Sequence, residues 1–462
     1  MVDALNTSQT NSIEQATDAL SFDNLHAETP AQKRALSYAN TIFQLFHQVM
    51  DKQQPADRVV GEYFRINKKH GSKDRRVIRE SVFALFRWWG WLSKFNALPE
   101  TEQKEQVWFT ILTINAQLES HPWHDFISAW EGFAGIKPLE SATQFDSAAQ
   151  RCDWLNTQFD SLSFTPDELV PDWFWEVCPS DDTEQRLALI ESLSSRPPIW
   201  GRVQNIDVHD AIDTLTKVDI AATGSKFFSD SINLGHKNIN LNGLALYKDG
   251  ELEIQDLGSQ VVGQMCQPKA DDNWWDTCSG AGGKSLQLRS LMLQQNKHAT
   301  GTIIASDIRR KPLEELAKRA KRAGFKEIST APWKSDELPV EHAHFDGVLV
   351  DAPCSCTGTW RRNPDMRWID SKDAVMDKPA LQLDILARSS QAVKHGAILV
   401  YATCSLSPLE NEAVVNAFLA SNSDFTLAVT THPFTGKQDK MHTVIPYQAD
   451  TDGMFVARMI RK

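Results

Sequence analysis

The chain has 462 residues, 41% hydrophobic and 23% charged, with a net charge of −12. This is the composition of an ordinary globular protein large enough for two or three domains, and no apolar run approaches the roughly 20 residues that span a bilayer. Seven cysteines without a framework spacing exclude a disulfide scaffold, and the N-terminus lacks a basic start followed by an apolar block, so reduced thiols in a cytoplasmic protein are expected.

Residues 1–29 carry five acids and no base, are weakly periodic, and are read as a disordered tail. From Pro30 the pattern turns helical. Ile42, Leu45, Phe46 and Val49 form one stripe, and Ile78, Val82, Leu85, Phe86 and Trp89 another. The second helix is expected to start at Ser72, with its hydroxyl as the cap and Asp74 in the first turn. Residues 58–94 hold ten Lys/Arg against three acids, a local basic patch on an acidic chain that suits a phosphate-bearing partner or a solvated helix face. Trp88, Trp89 and Trp91 can stack on bases, although a cluster beside a core stripe more often packs inward. A helical domain is thus expected over 30–135, a linking or wrapping segment over 136–183, and a mixed α+β segment over 184–250.

After Glu251 strands and helices alternate. Strands are expected near Trp274–Asp276, Thr302–Ser306, Phe345–Val350 and Ala397–Ala402. Helices are expected at Ser285–Gln295, Pro312–Ala323 and Pro379–Lys394, with another opened by Pro408. This alternation implies a mostly parallel sheet with helices on both faces over 251–462. Ligands bind outside the carboxyl ends of such strands, which brings Asp276, Asp307, Asp351 and Cys404 to one edge.

Asp276-Thr277-Cys278-Ser279-Gly280-Ala281-Gly282-Gly283-Lys284-Ser285 joins a strand to a helix, and its glycines let backbone approach a ligand. It is not a nucleoside-triphosphate loop, because Cys278 stands where the first glycine of that motif is required. Asp307, at the next strand end, can accept bonds from ribose hydroxyls, so loop and acid together suggest an adenosine-containing cofactor. Two cysteines, Cys354 after Asp351-Ala352-Pro353 and Cys404 after Thr403, then narrow the chemistry. The C5 carbon of cytosine is a poor nucleophile. A thiolate adding to C6 makes it an enamine that can accept a methyl group, and a base must later remove the C5 proton. An attacking thiol needs an electropositive or helix-end setting, which the dipole of the helix opened by Pro408 would give Cys404. Asp351 can hold and protonate the cytosine edge, and Lys284 can orient or supply charge. Cys354-Ser355-Cys356 also hints at a metal, but no second Cys/His pair lies nearby in sequence, so no metal is expected.

The run Asp351-Ala352-Pro353-Cys354-Ser355, with Thr357-Gly358 and Arg361-Arg362-Asn363-Pro364-Asp365, resembles the fourth motif of the RsmB/Sun-type RNA cytosine-C5 methyltransferases. Thr403-Cys404-Ser405-Leu406-Ser407-Pro408-Leu409-Glu410-Asn411-Glu412 resembles their sixth, and Asp276–Ser285 their S-adenosylmethionine loop. Ile254–Gln260 looks like the entry to that loop, and Asp452-Gly453-Met454-Phe455 like the final antiparallel strand. Gly71–Arg76, with the helix that follows, resembles a NusB-like domain. The resemblance implies a Rossmann-like S-adenosylmethionine methyltransferase domain with an antiparallel last strand, preceded by an all-helical NusB-like RNA-binding domain. It implies that Cys404 attacks C6, that Cys354 permits release, and that Asp351 contacts cytosine beside Lys284. Cys278, Ser279, Gly280, Ala281, Gly282, Gly283, Lys284, Asp307 and Asp351 would hold the cofactor. The implied partner is RNA, foremost ribosomal RNA, with a monomeric enzyme and no membrane. Transfer RNA as substrate, and a weakly active RNA-binding assembly factor, are the alternatives. Three departures stand out: Ser279-Gly280-Ala281 in the loop, Cys356 where glycine is usual, and Ser329–Trp333 without the acid that commonly meets adenine.

Overall fold

The structure, a computed structural model, describes residues 20, 22, 25–97, 104–140 and 144–462. It divides into two compact units, residues 1–171 with 363–369, and residues 172–362 with 370–462.

The first unit is helical. Helix α1 (Pro30–Lys52) starts with proline in its first turn and a reciprocal cap in which Thr29 and Gln32 bond each other's amides. Its stripe Ile42, Leu45, Phe46 and Val49 is fully buried. Helices α2 (Ala56–Ile66), α3 (Ser72–Leu92), α4 (Lys104–Leu118) and α5 (His124–Ala134) complete the bundle. Ser72 is the first residue of α3 rather than its cap; Gly71 takes the cap position, and Asp74 receives its amide at 2.9 Å and the Tyr38 hydroxyl at 2.6 Å. Trp88 and Trp91 stack on each other with ring centroids 5.5 Å apart. Their indoles donate to Glu119 and to the Thr165 carbonyl. Both are buried in the bundle, so they are core residues and not a platform for bases.

Most of the expected tail, residues 1–29, lies outside the described residues, although Phe22 is buried against Phe43 and Phe109. The segment read as a linker, 136–183, contains helix α6 (Ala148–Gln158), capped by Ser147. Arg151 of α6 lies 5.0 Å over the Trp88 ring, and the helical unit runs on to Pro171. Residues 363–369 also belong to it. Asp365 accepts the Ala56 amide at 2.7 Å, and Arg367 donates to the Leu169 carbonyl at 2.6 Å. The span expected to be catalytic, 251–462, therefore gives up this piece.

The second unit holds two sheets and a short ribbon. The smaller sheet is antiparallel, ordered β2 (Thr223–Gly224), β3 (Ser231–Asn233), β1 (Trp200–Val203), β4 (Leu252–Ile254). Gly201 pairs with Ile254, so the boundary placed at residue 250 cuts through this sheet. The larger is ordered β10 (Phe425–Leu427), β14 (Met454–Arg461), β9 (Val393–Thr403), β8 (Phe345–Asp351), β5 (Trp274–Asp276), β6 (Ile303–Ala305), β7 (Ile328–Thr330), and β13 (Met441–Val444) adds to β14. The ribbon pairs β11 (Thr430–Thr431) with β12 (Gln438–Asp439). Strands β5 to β9 run parallel; β14 is antiparallel to β9, with Phe455 opposite Thr403. The fold is the Rossmann-like arrangement with an antiparallel last strand. Chain order reverses between β5 and β8, which opens the crevice where ligands bind in such sheets.

The larger sheet is covered on both faces by apolar clusters, one around Val348, Leu399, Tyr401 and Phe455, the other around Val261, Trp274, Leu349 and Val400. Along β8 and β9 the neighbours Val348 and Leu349, and Val400 and Tyr401, fall in different clusters, because successive side chains point to opposite faces. The helix expected over Pro379–Lys394 ends at Ser390, and β9 begins at Val393. Gly396, at φ +76°, sits where the β8–β9 register shifts, so it turns the strand rather than ending a helix. The helix expected from Pro408 begins at Glu412. Among the described residues no helix is long and apolar enough to cross a membrane.

Candidate active site

The strand ends bring the predicted residues together at the β5/β8 crevice. Lys284, in the first turn of the helix Gly283–Gln295, reaches Asp351 at the end of β8, Nζ to Oδ2 2.6 Å. Burial alone would lower the Lys284 ammonium, but the Asp351 charge and hydrogen bond outweigh it and hold it up. Burial pushes the Asp351 carboxyl up, and Lys284 offsets this only in part. Cys354 leaves β8 and Cys404 leaves β9, and their sulfurs are 3.3 Å apart. Hydrogen bonds from Cys354 and Cys356, with Lys284 and Arg362 nearby, draw Cys404 well below the ordinary thiol range despite its burial. Cys354 is driven the opposite way by its hydrogen bonds to Cys356 and Cys404 and by burial. The pair is thus unequal: Cys404 is drawn toward the thiolate and Cys354 toward the thiol. The helix beginning at Glu412 starts eight residues past Cys404, so neighbouring thiols and cations replace the expected helix dipole as the cause.

A buried carboxylate to which the sequence analysis assigns no role ties the two cysteine loops. Glu410 is fully buried. It accepts the Ser355 amide at 2.9 Å, the Gln382 amide at 2.9 Å, the Ser405 hydroxyl at 2.6 Å, and the Ser355 hydroxyl. Asn411 bonds the Thr403 hydroxyl and the Ser405 carbonyl on the Cys404 side. Gly358 donates to the Cys404 carbonyl at 2.9 Å; a Cβ there would lie 2.4 Å from the Gly453 oxygen and 2.8 Å from the Cys404 oxygen. Only glycine permits that approach. The signal in sequence was the polar run Glu410-Asn411-Glu412 shortly after Cys404, whose first member is fully buried.

A cleft of about 620 Å³ runs from the thiols across Thr277 and Cys278 to Asp307, Ile308 and Trp333. Burial works against the Asp307 carboxylate, but hydrogen bonds from Arg309 and from the Gly280 amide hold it below its usual range. Four N–H groups already point at it, two of them on the exposed Arg309 side chain, which must swing aside for another donor. The predicted loop divides. Cys278 lines this cleft. Ser279, Gly283 and Lys284 line a second cavity of about 260 Å³ with Asp351 and Arg362. Gly282, at φ +83°, lies against Leu316, where a Cβ would approach within 2.4 Å, so it serves helix packing. Ala281 offers its carbonyl to Arg319 at 2.7 Å. Gly280, at φ +55°, turns the loop in open space. Asp276 is buried beneath the loop, where it accepts the Ser285 hydroxyl at 2.6 Å and is pushed up to about 7 by burial.

The cleft suits an adenosine-type ligand. It has an acid at ribose position and apolar walls from Ile308 and Ile385. The buried Trp333 Nε1 has no hydrogen-bond partner. The indole donor stands in the stretch Ser329–Trp333, which carries no acid.

A Rossmann-like sheet whose strand ends carry this cleft and a pair of thiols defines a methyltransferase. Residues 263–460 match the family described as 16S rRNA methyltransferase RsmB/F. The chain is 27% identical over 446 residues to ribosomal RNA small subunit methyltransferase B of Klebsiella pneumoniae, covering 93% of this chain and 99% of that protein. The corresponding Escherichia coli protein is 28% identical over 439 residues, covering 91% and 97%. Among solved structures, PH0851 superposes with a TM-score of 0.68 at 20% identity, covering 94% of this chain and all of the other. A methyltransferase homolog from Pyrococcus horikoshii gives 0.50 at 25% identity, covering 60% and 91%. The chain is thus similar to the RsmB/F-type ribosomal RNA methyltransferases over most of its length.

Proposed function

We propose that this chain forms 5-methylcytosine in ribosomal RNA of the small subunit, with Cys404 as the nucleophile and Cys354 as the residue that permits release. The observation that carries the reading is the 3.3 Å approach of two thiols with opposite protonation tendencies. The Cys404 thiolate adds to C6 of cytosine while the hydrogen-bonded Asp351–Lys284 pair delivers a proton to the N3 side of the ring. Lys284 holds Asp351 in place, and the cavity it lines with Arg362 suits the polar edge of the base. Cys278, Asp307 and the backbone around Gly280 would hold S-adenosylmethionine in the 620 Å³ cleft, and it would supply the electrophilic methyl group. Once the Cys404 sulfur is bonded to carbon it is no longer an anionic acceptor for Cys354. Cys354 can then release its own proton to solvent and, as thiolate, take the C5 proton. The C5–H electron pair restores the C5–C6 double bond, Cys404 leaves as thiolate, and N3 returns its proton to the Asp351–Lys284 pair.

The enzyme acts on RNA in the cytoplasm. Its target base must be drawn out of any stack, at a cost of a few kcal/mol. The test is Cys354→Ala incubated with S-adenosylmethionine and small-subunit ribosomal RNA. A denaturation-resistant protein–RNA adduct is expected, absent from Cys354→Ala/Cys404→Ala. An adduct that survives the loss of Cys404, or none at any pH, overturns the roles of the two cysteines.

A further inference from the structure

Cys356 forms and breaks no bond to substrate in that chemistry, yet the loop pays a conformational cost to place it. Its φ of +58° is in the left-handed region, which disfavours residues with a Cβ. Its sulfur joins those of Cys354 and Cys404 in a group whose members all lie within 4.8 Å of one another. Cys354 and Cys404 are already at 3.3 Å. Thiolates sharing one zinc-like ion, with bonds of about 2.3 Å, are about 3.8–4.0 Å apart, so shifts below about 1 Å bring these three sulfurs onto one ion. All three residues are half-buried, and Cys354 and Cys356 line the open cleft, which gives an ion its path and leaves a position for water. A divalent ion with three thiolates carries one net negative charge, and it would lie beside Lys284 and Arg362, which also pair with Asp351 and Asp452. Sequence spacing hid this because the third sulfur comes from another strand, fifty residues away.

We propose that Cys354, Cys356 and Cys404 form a binding site for a soft d10 cation of the zinc class, bound by three thiolates and one water. On binding, three metal–sulfur bonds form, the ion sheds water, and the three thiol protons pass to solvent. Thiolate ligands select such ions over hard ones. An ion bound there occupies the Cys404 sulfur and excludes cytosine, so the site switches the enzyme off until the ion is removed. The proposal stands on sulfur geometry, and its readout is metal binding, so it can fail without the methylation reading failing, and the reverse.

The test uses the full-length, fully reduced protein. Cadmium(II) titration should give a thiolate-to-metal charge-transfer absorption that saturates at one ion per chain, and zinc(II) should shield Cys404 from alkylation until a chelator is added. Cys356→Gly relaxes the backbone and should fold normally. It should bind zinc(II) at least about 100-fold more weakly, since even groups outside a metal's ligand shell are worth about 10–100-fold. Cys152→Ser, whose thiol lies in the helical unit, should bind as the parent does. Absence of the absorption at stoichiometric cadmium, unchanged zinc affinity in Cys356→Gly, or conversion of the thiols to a disulfide in place of metal uptake would overturn the site.

Discussion

Removing the Glu410 side chain should separate the Cys354 and Cys404 thiols, because this carboxylate joins the loops that carry them. In Glu410→Ala the Ser355 and Ser405 hydroxyls, 3.1 Å apart, can satisfy each other. The Ser355 amide loses its buried acceptor, and the Gln382 side-chain NH₂ keeps only the Pro353 carbonyl at 3.1 Å, so one N–H of each is orphaned. At about 1–3 kcal/mol for each orphaned donor, the loss is about 2–6 kcal/mol. Glu410→Gln behaves differently. Its carbonyl can face the two obligate donors while its NH₂ faces the two hydroxyls, which can turn to accept. Only the charge assistance is lost, about 1 kcal/mol. The assay is the midpoint of chemical denaturation for both variants, with methyl transfer measured where each is folded. Ala should lose stability and fall at least about 100-fold in rate, as expected when reacting groups are displaced by about 1 Å. Gln should stay close to the parent. An Ala variant that keeps both stability and rate, or a Gln variant as damaged as Ala, would refute the clamp.

Three further outcomes follow from the site. Cys404 is depressed chiefly by the hydrogen bond from Cys354, so its thiolate persists below the ordinary thiol range. In Cys354→Ala that support is lost, and the pH profile for alkylation of Cys404, read by peptide mass, should move to higher pH. A shift to lower pH would contradict the assigned cause. Asp307→Asn should weaken S-adenosylmethionine binding about 10–100-fold, the worth of one or two charge-assisted bonds, whereas Arg309→Ala, which only uncovers the same carboxylate, should not; calorimetry distinguishes them. Gly358→Ala places a methyl 2.4 Å from the Gly453 carbonyl and should cost about 1–3 kcal/mol, seen as a lower denaturation midpoint together with slower methyl transfer.

Much of this site was legible along the chain because its chemistry sits where strands end. Asp307, Asp351 and Cys404 each follow an apolar run, and a parallel sheet brings such ends to one edge whatever its details. The helical unit was legible for a similar reason, since stripes such as Ile42–Leu45–Phe46–Val49 are periodic. Where the pattern was weak the reading went astray. Helix α6 buries only Ala148, Cys152 and Leu155, so its stretch looked like a linker. Residues 363–369 carry no mark of belonging with Ala56 and Leu169, which are hundreds of positions distant. The tryptophans of α3 look the same in sequence whether they face RNA or a core, and only their partners Glu119 and Thr165 decide it.

The sequence by itself determined which groups stand at the sheet edge, because strand alternation and turn chemistry are local. It could not determine how those groups tune one another. That Cys404 is drawn below the ordinary thiol range and Cys354 pushed above it depends on distances of a few ångströms between β8 and β9, and on Lys284 and Arg362 approaching from other segments. The roles of Glu410 as clamp and of Cys356 as a third sulfur arise the same way. Hydrogen bonds and charges act through space, and only the folded chain sets those separations.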